Sequence, residues 1–165
     1  MKRMKWKIFL ILLVFLFPSV VFSQQEIKLS DIEKPGETGI GEKQGIVLAE
    51  NLLGSYRVVF SGNAPGDIVP VLSKEETGKN SFDKLLVLFS GKIYSPGISE
   101  PFIFENKSPE ELVQMEATMI PNVLEQSYTL YLDLIVVASS HLKNAEVSDD
   151  VGEYKATISV TVSKL

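Results

Sequence analysis

From Tyr154 to Ser163 the chain alternates without a break. Tyr154, Ala156, Ile158, Val160 and Val162 fall on one face, and Lys155, Thr157, Ser159, Thr161 and Ser163 on the other. Strict alternation predicts a half-buried β-strand. A second long strand is predicted over Ser127–Ala138, with Tyr128, Leu130, Leu132, Leu134 and Val136 sharing a face. Tyr131, Ile135 and Val137 make its other face partly apolar as well. Leu85–Phe89 is a continuous apolar run, the pattern of a strand covered on both faces or set in a sandwich core. These last two strands are expected to be central.

Shorter β-type segments lie at Ile46–Leu48, Ser55–Phe60, Ile68–Leu72 and Pro101–Phe104. Pro70 pushes the third of these toward a sheet edge. Ser61–Asp67 and Ser95–Gly97 are turn clusters, and Lys74–Lys79 reads as a charged loop. One helix signal stands out. Ser108 at the N-cap, Pro109 at the first helical position and Glu111 at the third match a capping box. Because Val113, Met115, Ala117 and Met119 alternate, a single helical turn should lead into a strand. The sum is an all-β fold, an antiparallel immunoglobulin-like or pilin-like β-sandwich of about seven to eight strands with at most one short helix.

The N-terminus follows a different pattern. Lys2, Arg3, Lys5 and Lys7 precede the apolar run Ile8–Phe17, then Pro18, then Val21-Phe22-Ser23. Basic, apolar and small-residue regions in that order describe a secretory signal peptide cleaved after Ser23. The apolar run falls short of the roughly 20 residues that span a bilayer, so no stable membrane span is expected after cleavage. The expected division is therefore residues 1–23 as signal peptide, 24–45 as an N-terminal extension with a Gly-rich loop, and 46–165 as the sandwich. The expected location is the periplasm, or the extracellular or cell-surface side. The mature chain would have 12 Lys and Arg against 21 Asp and Glu, a net charge of −9. That charge repels a phosphate backbone and argues against nucleic-acid binding. The chain has no cysteine, so packing rather than disulfides must hold the domain. Thiol catalysis and thiolate-bound metals are excluded with it.

Candidate chemistry is sparse. His141 is the one histidine, in a polar segment without a nucleophile-elbow context, and reads as solvent-exposed. Glu75-Glu76, Glu110-Glu111 and Asp149-Asp150 are adjacent acids whose side chains point apart on a regular element. Asp149, Asp150 and Glu153 lack the spacing of a calcium loop. Glu76–Ser81 only faintly matches the end of a phosphate loop, and Asn106-Lys107-Ser108 is a poor glycosylation sequon before Pro109. No catalytic residue, cofactor or metal site is assigned, and a non-enzymatic role is expected. Tyrosines are the side chains suited to stack on a sugar while partly wet; Tyr131, out of phase with Leu130 and Leu132, is the best placed, and Tyr154 is the second candidate for a ligand or partner surface.

Gly152-Glu153-Tyr154-Lys155-Ala156-Thr157-Ile158-Ser159-Val160-Thr161-Val162, preceded by the strand LYLDLIVVA and the loop SSHLKNAEVSDDV, resembles the C-terminal part of bacterial pilin-like secreted domains. The spore coat protein U-like family and a related envelope family of unknown function end on such a run. Asp150–Tyr154 also resembles the tyrosine corner of immunoglobulin-type domains, but Ala156 stands where their cysteine would be. The pilin-like resemblance implies a structural or adhesive protein of the bacterial envelope. It further implies self-association, or association with another envelope protein, through a sheet edge. Ile27 and Leu29 are the candidate donor-strand residues in such an exchange. The alternative is a binding module for carbohydrate or another envelope component.

Overall fold

The computed structural model describes residues 19–33, 37–62, 71–74, 85–140 and 152–165. Residues 1–18, which carry most of the expected signal peptide, lie outside these. So do His141, Asp149, Asp150, Glu75, Glu76 and the segment 76–81.

Nine strands and one short helix make up the described chain. They are β1 (Val20–Lys28), β2 (Thr38–Leu52), β3 (Tyr56–Ser61), β4 (Val71–Lys74), β5 (Leu85–Tyr94), β6 (Phe102–Lys107), α1 (Pro109–Gln114), β7 (Glu116–Met119), β8 (Tyr128–Ser140) and β9 (Tyr154–Lys164). One sheet has the order β1-β9-β3-β7, with β4 also on β9; the other has the order β2-β8-β5-β6. Every strand pairing within them is antiparallel. The class is an all-β antiparallel sandwich.

The alternation in sequence explains the packing. Along β9 the side chains of Tyr154, Ala156, Ile158, Val160 and Val162 are all buried. Along β8 the set Tyr128, Leu130, Leu132, Leu134, Val136 and Ala138 is buried in the same way. The two inner faces interdigitate between the sheets, as the spacing of packed sheets requires. Phe60 of β3 meets Phe104 of β6 edge-on at 5.3 Å between ring centroids. Tyr56 of β3 meets Tyr128 of β8 in the same manner at 6.4 Å. As expected, β8 and β5 are the interior strands of their sheet.

Strand β9 is interior too. On one flank β1 matches it over nine residue pairs, from Val20↔Ser163 to Lys28↔Lys155. On the other flank lie β3 and then β4. Ser61 pairs with Ser159 and Val71 with Thr157, so ten residues of chain advance only two positions along β9. Strands β3 and β4 thus form one interrupted track beside the last strand.

The expected helical turn is present. Ser108 Oγ accepts from the Glu111 amide, and the Glu111 carboxylate accepts from the Ser108 amide. The helix ends at Gln114, and β7 follows from Glu116.

The N-terminal part corrects the sequence-based division. Residues 24–45 are not an extension outside the sandwich, because β1 and β2 fill most of that range. Glycines that read as a loop sit in a strand for a steric reason. A Cβ at Gly39 would lie 2.9 Å from the Ser30 carbonyl oxygen, and one at Gly41 2.6 Å from that of Lys28. These glycines let the chain leaving β1 run hard against β2. The Ser30 amide donates to the Ile40 carbonyl there, and the Ile40 amide donates to Ser30 Oγ.

Candidate functional site

The two sheets differ on their outer faces. On β9 the outward positions are Lys155, Thr157, Ser159, Thr161 and Ser163, a polar row that is half-buried, with Ser159 fully buried at its centre. The outer face of β2-β8-β5-β6 is mostly apolar. Strand register lines it up in rows: Ile40, Val137 and Leu88; then Glu42, Ile135 and Ser90; then Asp133 and Lys92 with Ile103; then Val47, Tyr131 and Tyr94. Ile40 is 55% exposed, Ile103 60% and Ile135 38%.

The polar groups within this face are already paired. Asp133 Oδ1 accepts from the Gly45 amide at 2.7 Å and from the Tyr94 hydroxyl at 3.3 Å. Asp133 Oδ2 lies 3.2 Å from the Lys92 ammonium. Partial burial works to raise the Asp133 pKa. The Gly45 amide, the Lys92 ammonium and the Tyr94 hydroxyl outweigh it and hold the carboxyl below its ordinary value. Tyr94 shifts the other way, raised first by desolvation and then by the neighbouring carboxylate. The Tyr94 and Tyr131 rings stack at 5.6 Å and 27°. Lys92 Nζ sits 4.9 Å from the centre of the Tyr94 ring. Gly45 has φ +63°, the left-handed conformation that glycine tolerates, and its amide thereby reaches Asp133.

Tyr131 also borders a cleft of about 460 Å³ at the end of the sandwich, shared with Ser95, Gly97, Asn122, Gln126 and Thr129. Tyr154 has a different fate. It is 1% exposed, in the inner row of β9, and offers no surface to a ligand. Tyr56 and Tyr128 are buried as well, so Tyr94 and Tyr131 are the partly exposed tyrosines. Ile27 and Leu29 are buried against the last strand; Ile27 pairs with Ala156, and the Leu29 amide donates to the Tyr154 carbonyl. Sequence reasoning does not single out Tyr94, Lys92 or Asp133. A usable signal is present: Asp133 is the one charged residue in the apolar run Tyr128–Ala138.

Among the described residues no group of three or more His, Asp or Glu side chains is placed to hold a metal ion. No helix among them is long and apolar enough to cross a membrane. No protein-family model matches the chain, and no curated protein matches it in sequence.

Below the cleft, Tyr128 gives a measurable prediction. Its hydroxyl donates to the Gly54 carbonyl at 2.8 Å. Burial, with a smaller contribution from Tyr56, pushes its pKa from 10.0 to about 12. An alkaline titration followed by tyrosinate absorbance should show a late component that is lost in Tyr128→Phe. A raised folded pKa favours the fold below the unfolded value, so this contribution declines as pH rises from 10 through about 12. If Tyr128→Phe removes no late component while the protein is still folded, the packing at Tyr128 is wrong.

Proposed function

We propose that this chain is an exported, non-catalytic structural or adhesive protein of the bacterial cell envelope, a pilin-like subunit that associates through a sheet edge. The observation that carries the reading is the pairing of the first described strand with the last. Among the described residues β1 is the strand that covers one flank of β9, and a second copy can present the same residues to the same edge. The leader-like residues 1–23 support export. In this reading cleavage falls after Ser23, inside β1. Gln24–Lys28 then keep their partners on β9, and Val160–Ser163 lose theirs on that flank. The polar outer row of β9 and the buried row beneath it suit a strand that must accept an incoming neighbour in one register.

Sedimentation of the processed protein should show concentration-dependent multimers. Ile27→Ala, which trims the buried side chain without placing a charge in the core, should shrink them, and so should deletion of residues 24–33. A synthetic peptide of residues 24–33 should bind the deletion variant and raise its melting temperature. A protein that stays monomeric throughout, with no response to the peptide, would remove this reading.

The cleft beside Tyr131 favours a second reading, a carbohydrate-binding module. Side-chain amides of Asn122 and Gln126 and the hydroxyl of Thr129 beside an aromatic ring are groups that recognise sugars. A glycan panel would then raise the melting temperature of the wild type and not of Tyr131→Ala; no rise across the panel counts against it.

A further inference from the structure

We propose that the end of the sandwich at which the chain enters β1 is a contact surface for a lipid bilayer, with Leu53, Ile120, Val123 and Leu124 as the side chains that meet the lipid. This surface is separate from the β1–β9 edge, and its use rests on the export reading of residues 1–23.

Strand register gathers three connections at this end. Val20 starts β1 opposite Ser163, Tyr56 starts β3 opposite Lys164, and Met119 ends β7 opposite Tyr56. In the other sheet Leu52 ends β2 opposite Tyr128, the first residue of β8. Ile93, near the end of β5, faces Phe102, the first residue of β6. The connections β2–β3, β5–β6 and β7–β8 therefore lie beside the entry to β1. Two of them display apolar side chains to solvent. Leu53 is exposed in the first, and Ile120, Val123 and Leu124 are 62%, 54% and 67% exposed in the last. The β7–β8 connection is braced from within: Ile98 bridges Pro121, the Asn122 amide donates to the Gly97 carbonyl, and the Gln126 amide donates to the Val123 carbonyl. Apolar side chains clustered on a held loop mark an interaction surface.

The point at which the chain enters selects the occupant. Ser19 is fastened to this end: its carbonyl accepts from the Lys164 amide at 3.3 Å, and its hydroxyl lies 3.3 Å from that of Tyr56. The apolar run Ile8–Phe17 stops two residues earlier. Two residues reach at most about 7 Å, and the polar layer on each side of a bilayer is about 5–8 Å thick. While an apolar leader occupies the bilayer, as export requires, the end that carries Ser19 is held among the headgroups. Glu100, Glu125 and Lys164 are exposed at the same end. The contact is accordingly shallow, with these charges at headgroup level, and the excess of acid favours zwitterionic over anionic lipid.

Because the chain has no cysteine, Leu124→Cys in the full chain takes a single environment-sensitive fluorophore. On phosphatidylcholine vesicles its emission should shift to the blue and be quenched by brominated acyl chains. The same label at Leu86→Cys, which pairs with Ser139 toward the opposite end of the sandwich, should do neither. Protein purified in the form cells process should float with the same vesicles, more weakly when phosphatidylglycerol is added. There Val123→Asp/Leu124→Asp should keep the wild-type melting temperature and lower binding at least about tenfold. The proposal is overturned if the label at Leu124→Cys neither shifts nor is quenched, if that at Leu86→Cys responds equally, or if the double variant floats as wild type does. A shift at Leu124→Cys that follows protein concentration without lipid assigns this end to a second copy and overturns it too. N-terminal sequencing of the protein from cell fractions tests export separately. A cytosolic chain beginning at Met1 removes the export reading, while the label still decides the lipid contact.

Discussion

Val160→Asp should yield no folded protein, while Thr161→Lys one residue later should fold and melt close to wild type. Val160 is fully buried in the middle of β9, paired with Ser23 on one side and Phe60 on the other. Losing a buried valine side chain costs about 1.5–3 kcal/mol. An unpaired carboxylate in its place adds several kcal/mol more, or must take up a proton and remain an unsatisfied polar group. The total rivals the roughly 5–15 kcal/mol that holds a domain of this size together. Thr161 points to the outer face, where a lysine can lay its stem along the sheet and keep its ammonium in water. Circular dichroism and thermal melts decide it. Equal tolerance of both substitutions would mean that the register of the last strand is wrong.

That contrast is legible in the sequence, because one-residue alternation is a direct statement about which side of a sheet each residue occupies. It places the strands with clean patterns, β5, β8 and β9, and Ser108 with Glu111 places α1. Where pattern and composition conflict, composition misleads. Gly39 and Gly41 read as part of a loop, yet they belong to β2, since their lack of a side chain serves close packing against Ser30 and Lys28 rather than a turn. Strand β1 is hidden because Val20–Ser23 read as the end of a leader, and a leader pattern masks any strand it overlaps. The site is harder to see for another reason. Tyr131 is visible as an out-of-phase aromatic, but its partners Tyr94 and Lys92 lie on β5, and only the register of β5 with β8 brings them to Asp133. Tyr154 shows the converse: the alternation that makes it conspicuous also directs it into the core.

Gly91→Val should be the most damaging substitution that introduces no charge, destabilising the fold by about 3 kcal/mol or more. Gly91 lies in β5, opposite Leu134 of β8 and Phe104 of β6, just after the register shift between Phe89 and Gly91. A Cβ built there meets the Asp133 carbonyl oxygen and lies 2.9 Å from Phe104 Cζ. The ring could be displaced, at the expense of its edge-on contact with Phe60. The carbonyl cannot, because it belongs to the backbone of β8, which is hydrogen-bonded between β2 and β5. Trimming the ring in Gly91→Val/Phe104→Leu should therefore fail to restore the melting temperature. Gly45→Ala provides the contrast: nothing lies within 4 Å of its Cβ, and the φ of +63° should cost only about 1 kcal/mol. A Gly91→Val protein that melts within a few degrees of Gly45→Ala would show that β5 and β8 are not apposed at this point. The stacking of Tyr94 on Tyr131 and the pairing of Lys92 with Asp133 would fall with that apposition, since both depend on the same stretch of register.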